Sequence, residues 1–229
     1  MSVHFIAGAG TDIGKTYVTA LLARQSRAAG AKVLALKPVA SGVPAVRSAG
    51  FAATDTAKLL DAQGLKVTAA NVEACSPWRF IEPLSPDMAA AAERRTLTLA
   101  PLLAWCRQRI AAAPDGSAVL IEGVGGVMSP MTADALNLDL IKALACPVVL
   151  VAGSYLGAIN DALAALEALK AHKALVSAVV LNESALSTVD FDATLETLRR
   201  FAPDHPITTL RRGSPKLDLD LAGAAAFVT

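Results

Sequence analysis

The sequence predicts an α/β fold in which a mostly parallel sheet is flanked by helices on both faces. Short β-branched runs alternate along the 229 residues with longer stretches that are rich in alanine and leucine and have helical spacing. Hydrophobic residues make up 54% of the chain and charged residues only 18%, which provides a core and excludes a disordered polypeptide. No repeat or long linker interrupts the pattern, so we expect a single domain over residues 1–229.

The predicted strands are short apolar runs, and the three later ones are uninterrupted, which is typical of strands buried on both faces of a parallel sheet. Because each is followed by a helical stretch, the connections read as parallel crossovers. The predicted strands are Val3–Ala7, Lys32–Leu36, Ala118–Ile121, Val148–Ala152 and Ser177–Leu181.

The predicted helices show apolar residues at helical spacing, such as Leu21, Leu22 and Ala28 in the first of them. They are Lys15–Ala29, Leu99–Ala113, Leu136–Leu144, Ile159–His172 and Phe191–Phe201. The segment Val43–Phe80 has a less regular pattern, and the residues after Thr208 carry few signals for either helix or strand.

Composition excludes several classes of function. The 21 basic and 20 acidic side chains leave a formal net charge of +1. The sequence therefore shows no excess of positive charge that would indicate binding to nucleic acid or to an anionic membrane. The longest apolar stretch, Ala143–Ile159, contains Pro147 and falls short of a membrane span. The first apolar stretch has no basic flank and is broken by Gly8 and Gly10, so we expect no signal peptide. Three widely spaced cysteines favour a reduced, cytoplasmic protein.

Polar residues collect where the predicted strands end. In a parallel α/β sheet these carboxyl ends share one edge, and ligands bind beyond that edge. The clusters are Gly8–Thr16, Lys37–Gly42, Glu122–Gly126, Gly153–Asn160 and Asn182. The sequence therefore predicts a binding site at this edge.

The first cluster reads GAGTDIGKT and lies between a strand and a helix. Its glycines allow successive backbone N–H groups to point at an anion, and the helix adds its positive amino end. Lys15 would reach the terminal phosphates of a nucleotide, and the Thr16 hydroxyl would bind Mg²⁺. Ala9 replaces the first glycine of the common spacing, and an ordinary glycine-rich turn is the alternative. We expect a fold of the P-loop NTPase type.

Two carboxylates are candidates to complete a magnesium site with Thr16. Glu122 ends a buried strand, where a carboxylate is costly unless it is paired or bound to a metal. Asp55 lies between Thr54 and Thr56, where a helix N-cap is the alternative role. Oxygen ligands of this kind suit Mg²⁺.

Lys37 opens the second cluster, KPVASG, where a lysine that merely extends to solvent is the alternative. The motifs GTDIGKT, KPVASG, EPLSP, EGVGG and GSYLGAIN occur in this order between Val3 and Asn182. Together they resemble the dethiobiotin synthetases, ATP-dependent ligases of biotin biosynthesis. The resemblance implies that the chain binds 7,8-diaminononanoate, CO2 or bicarbonate, and ATP with Mg²⁺.

The resemblance also implies a reaction and roles in it. A substrate amine takes up CO2 as a carbamate, the carbamate accepts the γ-phosphoryl group, and the second amine closes the ring. Lys37, Lys15 and Thr11 would serve catalysis, and Ser41 would bind the substrate. Thr16, Asp55 and Glu122 would hold the metal. The nucleotide would contact Asp12, Ile13, Gly14, Lys15, Thr16, Tyr17, Asp55, Glu122, Gly125 and Asn182.

Members of this family work as homodimers with a substrate site shared across the interface. By that resemblance Leu156, Gly157 and Asn160 serve the neighbouring subunit, although glycine and asparagine at a helix start are more often caps. Three features differ from the family pattern: Asp87, Tyr17 and the segment Thr208–Arg212, where base contacts are expected.

Two other functions share the phosphate loop. Partition and division-site ATPases, which are nucleotide-switched partner-binding proteins, typically have an extra lysine where Gly10 stands, and they leave KPVASG unexplained. Amidoligases for larger substrates usually carry an additional domain with a nucleophilic cysteine, for which 229 residues leave no room.

Overall fold

A parallel sheet forms the centre of the structure, a computed structural model that describes residues 1–219 and residue 221. Within those residues the sheet has six strands, which are β1 (Ser2–Gly8), β2 (Val33–Leu36), β5 (Ala118–Glu122), β6 (Val148–Ala152), β7 (Val176–Asn182) and β8 (Ile207–Leu210). Their order across the sheet is β2-β5-β1-β6-β7-β8, and every neighbouring pair is parallel. A separate two-residue ladder joins β3 (Val39–Ala40) to β4 (Trp78–Arg79).

Helices cover both faces of the sheet because side chains alternate between the faces along each strand. In β1, Phe5 and Ala7 pack on one face and Ile6 packs on the other. The Ile6 face is covered by α1 (Lys15–Ala28), α2 (Asp55–Ala62) and α3 (Ala69–Cys75). The Phe5 face is covered by α4 (Pro86–Ala92), α5 (Leu99–Ala111), α6 (Asn137–Leu144), α7 (Ala158–Ala171) and α8 (Phe191–Phe201). The predicted fold class is confirmed.

The five predicted strands and five predicted helices are all present, with ends that shift by one or two residues at most. The expectation for the tail was wrong, because Ile207–Leu210 forms β8. This strand is only partly buried and contains two threonines, so it lacks the continuous apolar run of an interior strand. Asn182 therefore ends β7 and does not follow the last strand. That residues 1–229 form a single domain stays a prediction.

The irregular segment contains α2 and α3, and α4 lies in a stretch for which the sequence predicted no element. All three helices are short, with eight residues in α2 and seven in each of the others. Such short helices depend on packing more than on intrinsic propensity. Among the helices that the structure describes, none is long and apolar enough to cross a membrane.

Candidate active site

The loop between β1 and α1 has the backbone of an anion-binding loop. Gly14 caps α1 with a left-handed φ of 93°, and Asp12 also has a positive φ of 55°. A Cβ on Gly8 would lie 2.8 Å from both the Gly10 carbonyl oxygen and the Lys15 side chain. The loop can therefore close tightly only with glycine at that position.

Lys15 is buried and folds back over this loop, where its Nζ donates to the Gly10 carbonyl oxygen at 2.7 Å. Burial, with a smaller contribution from the nearby Lys37 ammonium, lowers the pKa of Lys15 to about 8. Among the described residues no carboxylate lies at bonding distance from this buried ammonium, which makes it well suited to an anionic ligand such as a phosphate.

Lys37 lies at the carboxyl end of β2 and binds two carboxylates. Its Nζ donates to Glu122 Oε1 at 2.7 Å and to Asp55 Oδ2 at 2.6 Å. The Thr16 hydroxyl donates to the same Glu122 oxygen at 2.6 Å. Lys37 is only 5% exposed, so the alternative that it extends into solvent is excluded. Lys37, which follows β2, is thus brought together with Thr16 of α1, Asp55 of α2 and Glu122 of β5.

Electrostatics within this cluster favour its charged form. Burial by itself would lower the pKa of Lys37, but the Glu122 and Asp55 carboxylates outweigh it and hold that pKa above its ordinary value. Burial would likewise raise the pKa of Asp55, and the Lys37 ammonium overcomes it so that the pKa is lowered. The ammonium and the Asp55 carboxylate therefore stay charged at neutral pH.

The candidate metal ligands fit a small, hard cation. Glu122 Oε2 is buried and has no hydrogen-bond partner among the described residues, which leaves a carboxylate oxygen free to bind. Thr16, Asp55 and Glu122 offer only oxygen atoms, the donors that Mg²⁺ prefers. Within residues 1–219 and 221, no three His, Cys, Asp or Glu side chains group together, so the set depends on the Thr16 hydroxyl. Thr54, not Asp55, caps α2 through its side chain, which leaves Asp55 at the first helical position.

A main cleft of about 670 Å³ opens above these groups. It brings together most of the predicted residues: Thr11, Asp12, Gly14, Lys15, Thr16, Tyr17, Lys37, Ser41, Asp55 and Gly125. The Pro83–Pro86 segment forms a further wall, and the exposed Lys58 stands at the rim.

A second cavity of about 560 Å³ lies on the other side of the phosphate loop. It is lined by Asp12, Ile13, Gly14 and Tyr17 together with Asn182 and residues that follow β7. Tyr17 is 43% exposed, so it does not face the core. Thr11, Asp12, Gly14 and Tyr17 also line the main cleft, so one ligand can reach both spaces.

Asn182 and the segment after β8 shape this second cavity. The Asn182 amide donates to the Ile13 carbonyl oxygen at 2.9 Å, and a Cβ on Gly14 would overlap the same amide. Arg212 also lines the cavity, and its backbone N–H donates to the Glu183 carboxylate at 2.8 Å. The Thr208–Arg212 segment, where the family pattern is not recognisable, thus reaches the cavity at Arg212.

The residues predicted to serve a neighbouring subunit lie outside both cavities. Leu156 is 83% exposed, and Asn160 is exposed in the first turn of α7. Gly157 is the N-cap of α7 with a φ of 100°, so the capping role that the sequence left open is real. Within this chain the structure does not bring these three residues to Lys37.

The sequence missed two residues that hold the loop after β5. Ser129 Oγ accepts the Gly126 N–H at 2.7 Å. The buried amide of Asn137 donates to the carbonyl oxygens of Val124 and Gly126. No sequence signal marks them, because a serine and an asparagine near a helix start usually indicate local caps.

The role of Asp87 was left open by the sequence. Its carboxylate accepts the hydroxyl hydrogen bond of Ser85 at 2.5 Å, and Ser85 lines the main cleft. Asp87 therefore acts on the wall of the cleft through Ser85 and is not itself among the residues that line it.

Comparisons with known proteins find similarity over most of the chain. A family model described as an AAA domain matches residues 3–209. An ATP-dependent dethiobiotin synthetase BioD of Methylobacterium nodulans is 53% identical over 225 residues, which is 98% of this chain and 100% of that protein. The protein of the same name from Phenylobacterium zucineum is 45% identical over 212 residues, or 90% of this chain and 87% of that protein.

Solved structures resemble the chain in fold only. The signal recognition particle receptor FtsY from Elizabethkingia anophelis, in complex with GDP, has a TM-score of 0.53 at 13% identity and covers 98% of this chain, which spans 62% of that one. Apo McdA from Cyanthece has a TM-score of 0.51 at 15% identity, with 93% of this chain and 87% of that one covered.

Proposed function

The chain belongs to the family of ATP-dependent dethiobiotin synthetases, and from that premise we propose how its main cleft closes the ring of dethiobiotin. It is an ATP-dependent ligase of biotin synthesis. The substrates we propose are 7,8-diaminononanoate and CO2, with ADP and phosphate released beside dethiobiotin.

The observation that supports this proposal most is the pair of buried lysines at one cleft. Lys15 rises from the phosphate loop, and Lys37 is held by Glu122 and Asp55 at the carboxyl end of β2. The phosphoryl transfer that we propose brings an anionic carbamate against an anionic γ-phosphoryl group. Positive charge that is already fixed in place reduces their repulsion and orients the two groups.

The steps follow from the charges of the reactants. One amine of the diamine adds CO2 and loses a proton to solvent, which forms an anionic carbamate. Because the carbamate oxygen already carries a negative charge, its attack on phosphorus needs no general base. A carbamate oxygen then bonds to the γ-phosphorus while the bond from that phosphorus to ADP breaks. The second amine attacks the carbamate carbon and expels phosphate, so the second C–N bond closes the ring and the amine proton is lost.

Polar side chains at the cleft would orient these groups. Lys37 and Lys15 would flank the carbamate and the γ-phosphoryl group, while the hydroxyls of Thr11 and Ser41 would hydrogen-bond the substrate. All four line the main cleft, which supports their assignment to one site. Because the task is to align two anions, fixed donors matter more here than proton transfer.

Thr16, Asp55 and Glu122 would hold Mg²⁺, and the free Oε2 of Glu122 supports this assignment. Bound there, Mg²⁺ would supply positive charge that offsets the phosphate oxygens. The N–H groups and side chains of Asp12–Tyr17 would hold the nucleotide phosphates. Gly125 would approach them from the loop after β5, and Asn182 would contact the base in the second cavity.

We further propose a cytoplasmic homodimer in which Leu156, Gly157 and Asn160 complete the partner's substrate site. The Leu156 side chain is 83% exposed, so it is accessible to a partner. The described cysteines Cys75, Cys106 and Cys146 are all free, which agrees with a reducing compartment.

The proposal is tested by mass spectrometry of the protein incubated with 7,8-diaminononanoate, bicarbonate and MgATP. We expect a product that gains one CO and loses two hydrogens relative to the diamine, formed in step with ADP. Omission of the diamine should abolish both signals. ATP hydrolysis without that product would contradict ring closure and would instead favour a nucleotide-switched partner-binding ATPase.

A further inference from the structure

Tyr155 lies in the loop after β6 and has no role in the site described so far. Its side chain lines the second cavity beside Ile13 and Asn182. A Cβ on Gly10 would stand 3.5 Å from its hydroxyl oxygen, and a Cβ on Gly153 would lie 2.7 Å from its ring. The ring therefore occupies space that a glycine leaves at the end of β6, and it reaches the phosphate loop.

The hydroxyl of Tyr155 is fixed by a hydrogen bond to helix α7. It donates to Asp161 Oδ2 at 2.6 Å, and Asp161 lies in the first turn of that helix. Burial, together with the Asp161 carboxylate, raises the pKa of Tyr155 to about 12, so the hydroxyl keeps its proton at neutral pH. A carboxylate at the amino end of a helix is also favoured by the helix dipole.

The backbone next to the ring is fixed as well. The Ser154 N–H donates to Ser184 Oγ at 2.9 Å, and the Ser184 N–H donates to Ser154 Oγ at 3.0 Å. This reciprocal pair joins the loop after β6 to the loop after β7, whose residues Ala185 and Leu186 line the same cavity. The Tyr155 ring is therefore held by its backbone at one end and by Asp161 at the other.

We propose that Tyr155 forms a wall against the nucleoside part of the nucleotide and that Asp161 is the positioning residue that holds this wall in place. The inference rests on the proposed function in one respect, which is that the nucleoside of ATP occupies the second cavity. An aromatic ring supplies a large contact surface, and a ring that is already oriented loses little freedom when the nucleoside binds.

The test measures the affinity of a non-hydrolysable MgATP analogue and of magnesium tripolyphosphate, which lacks the nucleoside, by calorimetry. Tyr155→Phe removes the hydroxyl and keeps the ring, Asp161→Ala removes the acceptor, and Asp161→Asn retains an acceptor oxygen. Glu167→Ala is the matched control, because Glu167 is an exposed acid on the same helix.

We expect Tyr155→Phe and Asp161→Ala each to weaken analogue binding by about tenfold. A change of this size is within what the loss of a hydrogen bond to a charged group can cause. The double variant should bind no more weakly than either single variant, because both remove the same bond. Asp161→Asn should recover most of the affinity. Tripolyphosphate binding should stay unchanged, which a general distortion of the site would not permit.

Unchanged analogue affinity in both single variants would overturn the proposal. So would an equal loss for tripolyphosphate, which would mean that the phosphate loop itself had moved, or an additive loss in the double variant. Thermal unfolding of each variant shows whether it is folded at the assay temperature. Failure of the proposed function would appear differently, as a wild-type protein that binds the analogue but makes no ring-closed product.

Discussion

Two buried lysines at one site differ in how their charge is balanced. Lys37 has two carboxylates within 2.7 Å, whereas Lys15 donates to a backbone carbonyl and has its pKa lowered to about 8. Burial of an ammonium is tolerated only when a counter-charge is near. The charge of Lys37 is therefore balanced within the protein, and the proposed function assigns the phosphates of the nucleotide as the counter-charge of Lys15.

Replacement of Lys37 should therefore separate chemistry from nucleotide binding. In Lys37→Ala we expect ring closure to fall by at least about a thousandfold, because the charge that we propose to face the carbamate is lost. Affinity for a MgATP analogue should change by less than about fivefold, since Lys15 and the phosphate loop remain. Product formation by mass spectrometry and calorimetric binding measure the two effects.

Lys66→Ala is the matched control for Lys37→Ala, because Lys66 is an exposed lysine between α2 and α3 that lines neither cavity. It should retain nearly all activity. Loss of Lys37 also leaves the buried Glu122 without its cation, which costs about 3 kcal/mol of stability, so both assays belong well below the unfolding temperature. A parallel collapse of nucleotide affinity in folded Lys37→Ala would contradict the assigned role.

Glu122 is the residue that belongs both to this cluster and to the proposed metal ligands. Glu122→Gln keeps the shape of the side chain but removes its charge, so we expect the Mg²⁺ concentration for half-maximal activity to rise by about tenfold or more. The readout is a magnesium titration of ring closure at saturating ATP. Glu196→Gln, an exposed position on α8, should leave the titration unchanged. An unaltered magnesium requirement in Glu122→Gln would remove Glu122 from the metal set.

Sequence alone could identify Lys15, Glu122 and the glycines of the loop, because each is unusual for its local position. A charged residue at the end of a buried strand indicates a paired or metal-binding side chain even before its partner is known. Asn137 and Tyr155 carry no such signal, since their partners lie elsewhere in the sequence and only the fold brings them together. The pairing of Lys37 with Glu122 spans 85 residues and was likewise visible only in the structure.

At the scale of elements, fully buried strands are predicted more accurately from sequence than partly buried ones. β6 was predicted to the residue, because Val148–Ala152 is buried on both faces and reads as one apolar run. β8 was missed, because three of its four residues are only partly buried and its pairing with β7 is a long-range contact. Helices α2 to α4 were missed for a related reason, since short helices are specified by what they pack against.

The segment after β8 packs back against the first elements of the chain. Leu217 exchanges two hydrogen bonds with the Gln25 side chain of α1, at 2.9 and 2.8 Å. His4 of β1 is fully buried, and its Nε2 lies 2.9 Å from the Leu221 carbonyl oxygen. These bonds connect the segment that borders the second cavity to the centre of the sheet.

The buried His4 should make stability depend on pH. Burial is the main cause that lowers its pKa below 6.5, so the folded protein keeps it neutral where the unfolded chain takes up a proton. Below that value the unfolded state binds more protons, and the free energy of unfolding should fall by up to about 1.4 kcal/mol per pH unit. Above it, this contribution should be constant.

Denaturant unfolding at about pH 7.5 and about pH 5.5 measures this effect. His4→Gln does not titrate and should lose stability less steeply than the wild type between the two values. His172→Gln, at the exposed histidine that caps the carboxyl end of α7, should follow the wild type. Parallel pH profiles for His4→Gln and the wild type would show that His4 is not the titrating group.

At the scale of the whole molecule, two residues that we propose for the substrate site lie apart from the cleft of their own chain. The cleft holds the phosphate loop, Lys37 and Ser41, while Leu156 and Asn160 stand exposed outside both cavities. A two-fold dimer would present the same patch on each subunit and so form two equal composite sites. Each site would then combine Lys37 of one chain with Asn160 of the other.

Heterodimers distinguish shared from separate sites. A heterodimer of Lys37→Ala and Asn160→Ala chains, purified through two different affinity tags, should have one intact site and about half of the wild-type activity. A heterodimer of wild type with a Lys37→Ala, Asn160→Ala double-variant chain should have none, because each composite site then contains one substitution. Separate sites predict the reverse, with an inactive first heterodimer and a half-active second one, so a single pair of activity measurements decides between the two arrangements.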